Sequence, residues 1–245
     1  MSNDIAVLDL TQLPSCQLGS DESFDELAKG ADFLKYVKLY TKGKPIDTGK
    51  IPPGHWGVPE AGSEEILDLG NSIDIVPLAR RAKAMDSSDR SAVIVTYDEA
   101  SDASKQIQAK SMEKDSGCQH GISYLVYERS TRQFLEVWFG SKSSRPEAKN
   151  LVPFLPLRQE DIDRRAANNQ DVSGLTPHLP LPATLKVRVA ENKAHQTWHV
   201  PVVLKCSTPI KLPSPATVVR EIQRFLTIKS EGVEKVEEPK TKRAR

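Results

Sequence analysis

Cysteine is scarce and badly placed for cross-linking. Cys16, Cys118 and Cys206 are odd in number, far apart and without a CxxC pair. That excludes a disulfide framework and a cysteine-rich zinc site, and free thiols are expected. Long apolar runs are missing too: no stretch approaches the roughly 20 residues of a membrane helix. The start, MSNDIAVLDL, lacks the basic residues and small-residue cleavage site of a secretory signal. A cytoplasmic protein with no membrane partner is therefore expected. Net charge is nearly absent at +1, but Lys29, Lys35, Lys38, Lys42, Lys44 and Lys50 face only Asp32 and Asp47 over their interval, so local charge carries more information than the total.

Catalytic signatures are also wanting. The glycines at 43, 49, 54, 57, 62 and 70 form neither GxGxxG nor GxxxxGK[ST], and Gln196 stands where HExxH would need its glutamate. His195 and His199 fall in a strand-like segment, where a separation of four places them about 13 Å apart, too far to share a metal. Cys118 and His120 have no second ligand pair, and Asp68, Asp74, Asp86 and Asp89 make no DxD cluster. No catalytic residue, metal or cofactor is assigned, and an enzyme is the least favoured of the readings.

What the chain does contain is β-strand pattern. Ile122–Tyr127 and Gln133–Phe139 are apolar on both faces and flank the polar turn ERSTR, which reads as a buried hairpin. Residues 31–41 alternate as a strand with Val37 and Leu39 toward the core, and 42–54 is rich in turn formers. Short strands follow around Trp56 and Val58, at 72–78, where Pro77 marks an edge or bulge, and at 91–97. Asp68 and Gly70 read as a turn. Residues 99–114 favour an exposed helix with Ile107 and Met112 as its main apolar positions, and 146–157 a short helix or turn. The interval 158–182 reads as a loop excursion.

A second hairpin is expected with Leu185, Val187 and Val189 on one face of its first strand, Thr184, Lys186 and Arg188 on the other, and Trp198, Val200, Val202 and Leu204 as the apolar face of the return strand. Ser214 and Pro215 open a helix with a stripe of Val218, Val219, Ile222, Phe225 and Leu226. The domain plan is a flexible segment 1–19, one β-rich domain over 20–228 whose first helix begins at a Ser23/Glu26 capping box, and a disordered charged tail from 229 to 245.

Tyr36, Lys38, Tyr40 and Lys42 interleave rings and ammonium groups along one strand face, an arrangement in which bases stack while phosphates are neutralised. Arg80, Arg81, Lys83, Lys186 and Arg188 extend this candidate nucleic-acid groove. The competing reading makes the same strand an amphipathic edge whose tyrosines cover a secondary core.

The segments LGNSIDIVPLARRAKAMD (69–86), KDSGCQHG (114–121), FGSKSSRPEAKN (139–150) and WHVPVV (198–203) resemble a family of uncharacterised tailed-phage proteins. In overall pattern the chain is similar to phage single-stranded DNA-binding proteins built on an OB fold. Such proteins often end in an acidic tail that recruits partners, whereas this chain ends in KTKRAR. The resulting expectation is an α+β, mainly β chain, an OB-like Greek-key barrel with peripheral helices. Its expected function is sequence-tolerant single-stranded DNA binding in phage-type replication or recombination, with replication or recombination proteins as further partners. The alternative is a structural or scaffolding protein of a virion or complex.

Overall fold

In the computed structural model the described residues are 34–60, 63–89, 93–113, 116–157, 159–170, 172–173, 177–192, 194–227 and 230–232. The flexible segment 1–19 and the helix expected from Ser23 lie outside them, as does the tail from 233. The elements run β1 (Tyr36–Tyr40), α1 (Lys44–Asp47), β2 (His55–Pro59), β3 (Ile66–Gly70), β4 (Ser72–Asp86), β5 (Ile94–Thr96), α2 (Asp102–Lys110), β6 (Cys118–Glu128) and β7 (Gln133–Phe139). There follow α3 (Arg145–Ala148), a 3-10 segment (Lys149–Phe154), α4 (Gln159–Ala167), β8 (Ala183–Glu191), β9 (Thr197–Lys205), α5 (Pro215–Thr227) and β10 (Ser230–Gly232).

All these strands join one mixed sheet in the order β10-β5-β4-β6-β7-β1-β2-β3, with the β8–β9 hairpin also attached to β4. The class is α+β, mainly β. β4 organises the sheet. One edge pairs along its length with β6; the other takes β8 at Ser72–Ile75 and β5 at Ala84–Asp86. Its register slips between Pro77 and Ala79, because proline has no N–H to give the ladder and a bulge absorbs the defect. The strand therefore continues well beyond 78. β1 joins β7 in parallel, and β3, expected as a turn around Asp68, is a strand whose turn comes at Gly70, with φ +79°.

Alternation along the strands makes two cores. On the inner face Val37, Trp56, Ile73, Tyr124, Val137 and Leu185 form one cluster with Leu151 and Leu155 from the helical segment after β7. Strands from distant places in the sheet order meet there, so the sheet curls around this cluster. On the outer face Val76, Leu78, Leu125 and Tyr127 are covered by Val218, Ile222 and Phe225 of α5, the expected stripe packing as expected. α5 starts at Pro215, with the Ser214 hydroxyl accepting from the Thr217 N–H at 3.3 Å.

Several expectations need correction. The excursion at 158–182 contains α4, anchored by buried Ile162. Met112 is 70 % exposed while Ile107 is buried on β4 and β6 against Ala84 and Cys118. On β9, register places Trp198, Val200 and Leu204 on the outer face with Arg188 and leaves Val203 to the inner core; of the three only Val200 is buried, and Trp198 and Leu204 are exposed. Ser230–Gly232, assigned to the disordered tail, pairs with β5.

Candidate nucleic-acid interface

The parallel pairing of Tyr36 with Glu136 and Val37 with Val137 fixes which β1 side chains share a face with β7. Tyr36 and Lys38 join Glu136 and Trp138 on the outer face. Across β6, Trp138 and Arg81 both register with Ser123, and Lys83 with Gly121. Tyr36, Lys38, Trp138, Lys83 and Arg81 thus share the outer face of the sheet beside α5. Trp138 was not among the residues singled out from sequence. Its signal was the alternation in QFLEVWF: once Leu135, Val137 and Phe139 point inward, Glu136 and Trp138 must point outward.

Glycines shape this surface. A Cβ on Gly121 would sit 2.0 Å from the Phe139 carbonyl oxygen, and one on Gly140 would sit 2.4 Å from the Trp138 ring. The bare backbone lets β6 and β7 close up and lets the indole pack directly against Gly140. The Trp138 Nε1 is buried with no hydrogen-bond partner.

At the centre, Glu136 (side chain 4 % exposed) holds Arg81 at 3.1 Å and Lys83 at 2.5 Å. Burial alone would raise the pKa of Glu136, but the charges of Lys83 and Arg81 outweigh it and hold the carboxyl below its ordinary range. The Arg81 guanidinium lies between the rings of Tyr97 and Phe225, 3.3 and 4.1 Å from their centroids, and donates to the Phe225 carbonyl. Lys83 stands 5.3 Å from the centroids of both Tyr97 and Trp138. Arg81 and Lys83 are therefore already committed to a buried carboxylate.

The residues chosen from sequence divide accordingly. Tyr36 is 49 % exposed and Lys38 is exposed. Tyr40 is corrected: at 5 % exposure it cannot stack on a base. The segment after β1 folds over it, bringing buried Ile51 beside Gly57, where an added Cβ would also meet the Tyr40 ring at 3.0 Å. Burial accordingly raises the Tyr40 pKa. Lys42 is exposed just beyond the strand. Arg80 faces the opposite way from Arg81, registering with Tyr124, whose hydroxyl donates to the Ala148 carbonyl at 2.5 Å. Lys186 and Arg188 do not extend the groove. They sit on β8, which meets β4 at the end remote from Lys83. There, with Trp198 registering against Ala190, they form a separate exposed patch.

Among the described residues no His/Cys/Asp/Glu group could hold a metal. The Cys118 thiol is buried, and burial followed by the Asp86 charge pushes its pKa up, the reverse of an activated nucleophile. His195, with φ +57°, pairs with Glu191 at 2.5 Å in the β8–β9 turn, whereas the His199 ring packs on Gly54. Comparison with known proteins returns no match to a family model, a curated protein or a solved structure.

Proposed function

We propose that the chain binds single-stranded DNA with little sequence preference, by base stacking on the outer sheet face and neutralisation of phosphates beside it. The observation that carries this reading is the clustering of exposed Tyr36 and Lys38 with Trp138 and Lys83 on neighbouring strands. Rings on a pleated surface offer stacking platforms at strand spacing, and every base has a face to stack. The connectivity supports the OB-like half of the proposal. β4 pairs with both β6 and β8, β6 with β7, and β8 with β9, and a helical segment separates β7 from β8. In a five-stranded OB barrel the first strand likewise pairs with the second and the fourth, and the face of the second and third strands meets the oligonucleotide. The corresponding strands here are β6 and β7, which carry Trp138. β1 departs from that plan by occupying the edge of β7 where a fifth strand would close the barrel. The setting in replication or recombination follows from the phage resemblance.

Fluorescence titration with oligo-dT across a salt series tests the proposal. Tyr36→Ala and Trp138→Ala should each weaken binding by about 1 to 3 kcal/mol. Wild-type affinity that is absent at low salt, or indifferent to both changes, overturns it. The alternative of a structural or scaffolding protein draws on a different feature. β9 pairs only with β8 among the described residues, and exposed Trp198 and Leu204 lie on it, a surface that suits a protein partner.

A further inference from the structure

The Trp138 platform ends at Gly140, and Gly140 is also a wall of a cavity of about 320 Å³ between the end of α2, the start of β6 and the loop after β7. Lys142 and Arg145 line this cavity together with Ser111, Ser116, Gln119 and Ser141. Both cations are held by backbone carbonyls. Lys142 donates to Met112 at 3.3 Å, and the Arg145 Nε donates to Gly140 at 3.2 Å. Neither has a carboxylate in an ion pair among the described residues, although Glu113 also reaches the cavity wall. Arg145 is half-buried, and burial lowers its pKa. Its charge also acts on His120, whose Nε2 is buried with no partner. A partly desolvated guanidinium fixed through one N–H, with its other N–H groups available and an ammonium lining the same space, is suited to a tetrahedral oxyanion.

We propose that this cavity receives a backbone phosphate of the DNA strand that crosses Trp138. The inference rests on the single-stranded DNA reading and adds a contact lying beyond the sheet face. Arg145 belongs to α3, whose Ala148 packs in the inner core, so a strand stacked on the outer-face indole turns over the sheet edge at Gly140 and brings its adjoining phosphate to Arg145 and Lys142. The stacking residue and the phosphate contacts then act on one strand in series.

The test measures oligo-dT affinity of the full chain against salt for Lys142→Gln, Arg145→Gln and Tyr36→Ala. Each cavity variant should reduce the salt slope by about 0.7, the value for one phosphate contact on single strands, with thermal stability unchanged in Lys142→Gln. Unaltered slopes in both cavity variants, with binding still weakened by Tyr36→Ala, would overturn the cavity proposal and leave the sheet-face reading standing. Wild-type protein that fails to bind oligo-dT would overturn both. A second arm replaces chloride with inorganic phosphate at constant ionic strength. Phosphate should compete with oligo-dT in the wild type and less in the Lys142→Gln/Arg145→Gln double variant. Competition accompanied by unaltered slopes would assign the cavity to a free anion and reject the strand phosphate.

Discussion

Arg81 and Lys83 on β4 and Lys186 and Arg188 on β8 are the same kinds of residue at alternate positions of a strand, yet they end in opposite states. The first pair is closed in by Glu136, Tyr97 and Phe225, with side chains only 7 and 12 % exposed. The second pair is exposed, with no carboxylate in an ion pair among the described residues and Trp198 on the same face. The difference lies in what crosses the strand. β4 runs beneath α5 and in the interior of the sheet between β6 and β5, so a cation there leaves water and must find a counter-charge. β8 runs past the end of its contact with β4, and its cations stay hydrated. Basic residues at alternate positions thus identify a strand face and leave open whether the charge is offered to a ligand or consumed inside the protein.

The contrast breaks most sharply at Glu136. Glu136→Ala leaves Arg81 and Lys83 buried without their carboxylate and should cost about 3 to 5 kcal/mol in urea denaturation. A change under 1 kcal/mol would mean the cluster is effectively solvated, like the β8 pair. The pH dependence has a defined sign. Because the folded pKa of Glu136 is depressed below its unfolded value, its contribution is present above the ordinary carboxylate range and is lost as pH falls through the folded value. Stability measured on acidification should therefore fall, and fall less in the variant.

Phe225→Ala removes a fully buried ring that covers Arg81 and anchors α5, an expected loss of about 3 to 5 kcal/mol. An unchanged melting temperature would make α5 a detachable arm. The two tyrosines of β1 provide the next contrast. Tyr40→Ala should lower stability by about 3 kcal/mol, as for other buried aromatic truncations. Tyr36→Ala should change stability by no more than about 0.5 kcal/mol, its loss appearing in oligonucleotide affinity. Equal stability losses in the two would show that Tyr36 is also core. The smallest effect is expected at the hairpin. Lys186→Ala should leave both melting and the oligo-dT salt slope unchanged, because the patch lies apart from the face that carries Trp138. A loss of stability there would reveal an unrecognised partner for that side chain.

The sequence by itself determined the local events. Period-two alternation marked β1 and the β8–β9 hairpin; two apolar runs around the polar ERSTR marked the β6–β7 hairpin; the missing N–H of Pro77 marked an edge or a bulge; the spacing of Val218, Ile222 and Phe225 marked the buried stripe of α5. These follow from strand and helix periods, which any short window displays. The tertiary structure decided which strand lies beside which. Nothing local to 36–40 says that β1 runs parallel to β7, yet that pairing brings Tyr36 and Lys38 beside Trp138. Nothing local says that the segment carrying Ile51 folds over Tyr40 and removes it from the surface. Burial of a side chain depends on what a distant part of the chain places above it, and Glu136 reaches Arg81 and Lys83 only through the order of strands in the sheet.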